Sequence, residues 1–245
     1  MDRTERAEAF AAREDALIGV AVPRISAMLE SFSDQISARW TELRAYSMPS
    51  PAMTDFMVDE FTQIWGASLT LGYDLLDTLT IKNSPEQLLV EYMNNYGSVR
   101  IQRVAGTTLQ QVINIVTSGQ REGFSAAEIA EALSEQIPQI AATRAKIIAE
   151  TEVHAAAQYG AYRTALASGR TMVKEWHTRG DGKVRNFPES AFSHVLMNGN
   201  SVALENAFQV PMAGGGFESL RFPGDPEGSA GNVINCRCLS FYREV

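Results

Sequence analysis

The sequence predicts an α+β protein, with a mainly α-helical N-terminal region of about 170 residues and a small glycine-rich α+β module after it. Three observations predict this. Apolar residues recur every three or four positions from Glu5 to Leu166, the period of helices with one buried face. Half of the 18 glycines lie beyond Arg170, in less than a third of the chain. In that last segment short β-branched and aromatic runs alternate with turn residues, as strands joined by tight reversals do.

The first helix is expected from Glu5 to about Tyr46, on Phe10, Leu17, Ile18, Ile25, Met28, Leu29, Phe32, Ile36 and Trp40, with a kink or break at Pro23. Met48-Pro49-Ser50-Pro51 ends it. A second helical region follows from about Thr54 to Leu79, weakened locally by Gly66 and Gly72. Ser84-Pro85-Glu86-Gln87 is a capping box with proline at the first helical position. After an interruption at Gly97, Thr107 or Thr108 is expected to cap a helix that stops near Gly119. Ser125-Ala126-Ala127-Glu128 opens a short helix through Leu133. The longest helix is expected after Pro138, ending at Gly169, with Ala155-Ala156-Ala157 and Ala161 leaving one side small enough for close packing.

Strands are expected at Met172–Trp176, Ser201–Val210, Phe217–Phe222 and Val233–Tyr242, with Gly214-Gly215-Gly216 at a hairpin tip. Pro223-Gly224-Asp225-Pro226 reads as a rigid reversal. On the last strand Cys236 and Cys238 would share a face, with Arg237 on the other. The boundaries are then 1–83, 84–170 and 171–245.

The 29 acidic and 21 basic side chains give a formal net charge of −8, and residues 1–100 hold fifteen acidic against eight basic groups. That balance argues against a surface that coats DNA by counterion release, so any DNA contact is expected to be weak. No segment reaches the roughly 20 apolar residues of a membrane span. The start, Met1-Asp2-Arg3-Thr4-Glu5-Arg6, lacks the layout of a signal peptide. The two cysteines, spaced Cys-x-Cys, fit a reducing cytoplasm.

Four features carry possible chemistry. Cys236 and Cys238 with His194, or His177, form a donor set for zinc. Against that, buried cysteines act as small apolar residues, and a Cys-x-Cys pair lacks the second knuckle of the usual zinc site. No cofactor is therefore expected, zinc on His194, Cys236 and Cys238 being the alternative. Nucleophilic catalysis by either cysteine has no local signature. Glu150, Glu152 and His154 read as a solvated helix face or a support for a neighbouring loop, with Glu150 and His154 paired at i,i+4, over the alternative of acid–base work by paired carboxylates. The triple glycine follows no phosphate-binding pattern and reads as a turn. Trp40, Trp65 and Trp176 read as core.

Six pieces in order resemble one family: Arg144 to Glu152, Lys174-Glu175-Trp176, Asp181 to Arg185, His194 to Gly199, Phe222 to Pro226, and Asn232 to Cys238. Together they resemble the phage Mu protein F-like family, the minor head or head morphogenesis proteins of tailed bacteriophages and prophages, over roughly residues 90–245. The resemblance implies a structural protein and not an enzyme. Its partners would be the portal and also capsid or scaffold protein, with residues 1–83 contacting portal or scaffold. It would assemble in the host cytoplasm and reside in the virion, at the capsid interior or portal vertex, with a part in packaging or ejecting DNA. Asp181, Arg185, His194, Asp225, Asn235, Cys236, Arg237 and Cys238 are expected to hold the loops of the last module together. The alternatives are a small Cys/His hydrolase or ADP-ribosyltransferase-related domain, or a DNA-binding end module using Arg179, Lys183 and Arg185.

Overall fold

A computed structural model describes residues 3–44, 46, 48–76 and 83–245. Helices come first and strands last. They are α1 (Arg3–Leu43), α2 (Pro51–Asp74), α3 (Pro85–Tyr92), α4 (Ser98–Arg121) and α5 (Ala126–Ala167), then β1 (Met172–His177), β2 (Ser201–Ala203), β3 (Phe208–Pro211), β4 (Phe217–Leu220), the short α6 (Ala230–Val233) and β5 (Leu239–Glu244). This is the α+β order expected. The N-terminal Met1-Asp2 and the expected end of the second helix at Leu79 lie outside the described residues.

Local chemistry sets the helix ends. The Met53 amide donates to the Ser50 hydroxyl at 3.2 Å, with Pro51 at the first helical position, so α2 starts ahead of Thr54. At α3 the capping box closes both ways, Ser84 N to Gln87 Oε1 at 3.0 Å and Gln87 N to Ser84 Oγ at 3.4 Å. Ser125 and Glu128 do the same at α5, at 2.6 and 3.3 Å. Beyond α5, Gly169 takes φ +66° and stops the helix.

Three expected interruptions are absent. α1 runs through Pro23, and α5 runs through Pro138 as one helix of 42 residues. A proline removes one donor, whereas Ile129, Leu133, Ile137, Ala141 and Ala145 keep an unbroken buried stripe on both sides of Pro138. Thr107 and Thr108 cap nothing. They lie inside α4, with hydroxyls donating back to the Arg103 and Val104 carbonyls at 2.8 Å. The break at Gly97 is a single π-helical turn, Met93–Gly97.

α1 also corrects the membrane expectation. An 18-residue window within Glu5–Glu42 reaches a mean hydropathy of 1.3, enough by length and composition to cross a bilayer. Its apolar face serves the core instead, since Ile25, Met28, Leu29, Phe32 and Ile36 are at most 1% exposed.

The chain forms two compact units, each assembled from stretches distant in sequence. One comprises Gly19–Gln63 and Met93–Ala149, the other Met1–Ile18, Ile64–Tyr92 and Glu150–Val245. The first is helical. In it Arg24 pairs with Glu60 at 2.7 Å, and Arg144 donates to the hydroxyls of Thr108 and Thr107 at 2.5 and 2.6 Å.

The second unit holds the β structure. β1 is the middle strand of an antiparallel sheet, order β2-β1-β5, with Trp176 opposite Ser240 and Lys174 opposite Tyr242. β3 and β4 make a separate hairpin whose tip carries Gly215 and Gly216 at φ +85° and +84°. The expected strand Ser201–Val210 is two strands, because Asn206 N bonds the Ala203 carbonyl at 3.0 Å and turns the chain. The expected strand Val233–Tyr242 begins only at Leu239. Val233 closes α6, Asn235 takes φ +57°, and both cysteines lie in the connection. They therefore share no strand face, although both enter one apolar cluster with Trp176, Phe192, Met197, Phe208, Val210 and Leu220.

Candidate functional site

From Thr151 to Tyr162 every residue of α5 is buried, so this part of the helix has no solvated face. A helix buried all round must find internal partners for each polar side chain. Thr151 accepts from the Asn235 amide at 3.1 Å, Glu152 from Trp65 Nε1 at 3.0 Å, and Gln158 from the Ser240 amide at 3.0 Å. His154 Nδ1 meets Glu14 Oε1 at 2.7 Å. The expected solvated face is thus overturned. Glu152 and His154 are 6% and 1% exposed, and the histidine's partner comes from α1 and not from Glu150.

His194 sits at the end of the loop after β1, its amide donating to the Arg185 carbonyl at 2.9 Å. Its ring stands edge-on to Trp176, centroids 5.1 Å apart. Nε2 lies 2.5 Å from Asn232 Oδ1, and an amide oxygen can only accept, so Nε2 carries the proton. Asn232 is itself held, its Nδ2 donating to Glu218 Oε2 at 2.6 Å. The other ring nitrogen, Nδ1, faces both thiols, 3.7 Å from Cys236 Sγ and 3.5 Å from Cys238 Sγ.

Electrostatics couple these groups. Burial alone would lower the His154 pKa, but the Glu14 carboxylate and the Cys236 thiol outweigh it and push it up to about 10. Burial raises the Cys236 thiol, yet the neighbouring Cys238, His154 and His194 hold it well below the usual range. Cys238 is pushed up by its bond to Cys236 and by burial.

Of the eight residues named from the sequence, His194, Cys236 and Cys238 meet directly. Arg185 joins them by its carbonyl bond to His194 and by donating to the Ile234 carbonyl. Arg237 pairs with Asp181 at 2.6 Å, and Asp181 also accepts from the Lys183 amide. Asn235 fastens the segment to α5. Asp225 lies apart from the thiols, accepting from the Arg221 amide and guanidinium at 2.5–2.8 Å. The reversal that carries it is nevertheless close, since a Cβ on Gly224 would come 2.7 Å from His154 Cδ2.

His154, Glu14 and Glu218 were missed. The small, apolar surroundings of His154, Val153 and Ala155-Ala156-Ala157, were the signal available for a buried helix. Glu14, between Arg13 and Asp15, carried none. Of the basic set, Arg179 is engaged by Asp15 at 3.1 Å and Glu14 at 3.6 Å. The recess beside His194 and Cys238 holds about 10 Å³, room for one water.

Residues 110–241 match the family model described as Phage Mu protein F like protein. The chain is also similar to the uncharacterized protein YqbB of Bacillus subtilis strain 168, 30% identical over 132 residues, which is 54% of this chain. The match spans about two fifths of that relative, 41% of its length. No solved structure matches the chain.

Proposed function

The chain belongs to the family of Phage Mu protein F like proteins, and from that membership we propose that it is a structural minor capsid protein of a tailed phage or prophage, acting in head morphogenesis and not as an enzyme. It docks on the portal during procapsid assembly in the host cytoplasm, stays with the virion, and assists packaging or ejection of DNA. One observation supports the architectural reading: several of the polar residues that mark the family resemblance are taken up in bonds within the fold. Asp181 holds Arg237, Asp225 holds Arg221, Asn232 holds His194, and Thr151 holds the Asn235 amide.

A Cys/His hydrolase needs a thiolate that substrate can reach. Cys236 and Cys238 are 1% and 3% exposed, beside a recess with room for one water. A DNA-binding end module would use Arg179, Lys183 and Arg185, of which Arg179 is engaged by Asp15 and Arg185 donates to the Ile234 carbonyl.

The test is co-expression of the full chain with the portal protein of the same phage, followed by sedimentation of portal rings. Co-sedimentation, together with packaging-deficient heads when the gene is deleted, is the expected result. Absence of the chain from portal rings, with normal heads and DNA content after deletion, overturns the reading.

A further inference from the structure

We propose that His154, His194, Cys236 and Cys238 are the four ligands of a structural zinc ion that fastens α5 to the C-terminal segment. The inference does not depend on the capsid reading.

Geometry comes first. A tetrahedral zinc ion with bonds of about 2.3 Å to sulfur and about 2.0–2.1 Å to nitrogen sets its N···S ligand separations at about 3.6 Å. His194 Nδ1 lies 3.5 Å from Cys238 Sγ and 3.7 Å from Cys236 Sγ. The donor atoms of these three residues all fall within 4.8 Å of one another, and all three residues are buried. Two thiolates and two imidazoles in a closed tetrahedron suit zinc over harder cations, which take oxygen ligands.

The fourth position follows from the orphaned nitrogen of His154. Its Nδ1 is committed to Glu14, while Nε2 is buried without a hydrogen-bond partner among the described residues. That edge of the ring is backed by the reversal at Gly224, where the absent Cβ leaves the ring its room.

The surroundings are those of metal-ligating histidines, whose far nitrogen donates to a carboxylate or carbonyl oxygen that fixes the tautomer. Glu14 serves His154 and Asn232 serves His194. Behind them stand Arg179, 3.6 Å from Glu14, and Glu218, 2.6 Å from Asn232. Charge also balances. Zinc(II) displaces the remaining protons from the thiols and from His154 Nε2, and two thiolates with two neutral imidazoles leave a site of no net charge. A neutral site escapes most of the penalty for burying an ion. The segment after α5 carries two small sheets, and a metal staple supplements what a small apolar cluster supplies.

The test uses the full chain grown with zinc and desalted into metal-free buffer. Elemental analysis is expected to find about one zinc per chain. Chelation should lower the unfolding temperature, and zinc(II) but not magnesium(II) should restore it. Cobalt(II) added to the chelated chain should give the intense visible bands of a tetrahedral site with thiolate charge transfer. His154→Ala, His194→Ala, Cys236→Ser and Cys238→Ser should each lower zinc retention at least tenfold. His177→Ala should not, and Glu14→Gln should weaken binding by about tenfold. A wild-type chain with less than about a tenth of a zinc, and no response of its unfolding temperature to zinc(II), overturns the proposal. Undiminished zinc in His154→Ala overturns the four-ligand assignment in favour of a three-ligand site.

Discussion

Gly72→Ala is the most direct probe of how α2 meets α5. A Cβ at Gly72 would lie 1.9 Å from the Ala157 carbonyl oxygen, 2.7 Å from Ala161 N and 2.9 Å from the Ala157 carbonyl carbon. Carbon contacts settle at about 3.5–4.0 Å, so the two helices must part by roughly 1.5 Å, and gaps of about 0.5–1 Å already forfeit a quarter to a half of each contact. The obstacle is helix backbone, which cannot step aside as a side chain can. Overpacking of this kind costs about 1–3 kcal/mol or more, while alanine in place of glycine in a helix returns about 1 kcal/mol. With the upper end of that cost for a clash this close, a net loss of about 2 kcal/mol or more is expected, read by urea unfolding followed through tryptophan fluorescence. Gly106→Ala, with nothing within 4 Å of the added carbon, is the internal control and should gain up to about 1 kcal/mol. Gly160→Ala, 2.6 Å from the Leu69 carbonyl oxygen, should lose stability at the same crossing and not add fully to Gly72→Ala. Equal stability of Gly72→Ala and Gly106→Ala would refute the close approach of the two backbones.

Lys174 is 0% exposed, its ammonium over the rings of Tyr162 and Phe208 at 4.7 and 5.4 Å, and burial lowers its pKa to about 8. A lysine depressed in the folded state destabilises fully below that value, and the penalty fades as pH rises toward the unfolded value near 10.4. Lys174→Met should therefore raise stability at pH 7 by about 1–3 kcal/mol and flatten the rise between about pH 8 and 10, measured by chemical denaturation at each pH. Asp225→Ala removes the acceptor of the Arg221 amide and one of the carboxylates on its guanidinium, Glu227 remaining at 3.0 Å, and should cost about 2 kcal/mol in the same assay; a loss under about 1 kcal/mol would mean that water replaces the carboxylate. Ser50→Ala removes the cap of α2 and should cost about 1 kcal/mol, whereas Ser50→Asp should restore it.

What was legible in the sequence was what a few neighbouring residues decide. Ser84 with Gln87, Ser125 with Glu128, and Gly169 each act within one turn, and each marks the helix end expected of it. The small faces of Ala157 and Ala161 likewise announced a close crossing. The errors arose where distant packing outweighed a local signal. Pro138 reads as a breaker, but the stripe from Ile129 to Ala145 is buried as one surface, and packing outweighs one lost bond. Val233-Ile234 reads as a strand start, yet Asn232 must reach His194 and Glu218, and the chain winds into α6 to bring it there. At the site, Cys236, Cys238 and His194 were legible as chemically capable residues. His154 was not, because a histidine four residues from a glutamate looks the same on paper whether its face is wet or dry. Its partner Glu14 lies 140 residues away, beyond any spacing rule.

The burial of α5 from Thr151 to Tyr162 sets an order of events for a newly made chain. This stretch leaves the ribosome well before Asn235 and Ser240, the residues whose amides satisfy Thr151 and Gln158. Until those arrive, this alanine-rich stretch lacks the two amides that bond Thr151 and Gln158 in the finished fold. Maturation of this unit is thus gated on the final few residues of the segment, and a translation product that stalls ahead of Asn235 presents a sticky helix to chaperones and proteases in place of a finished surface.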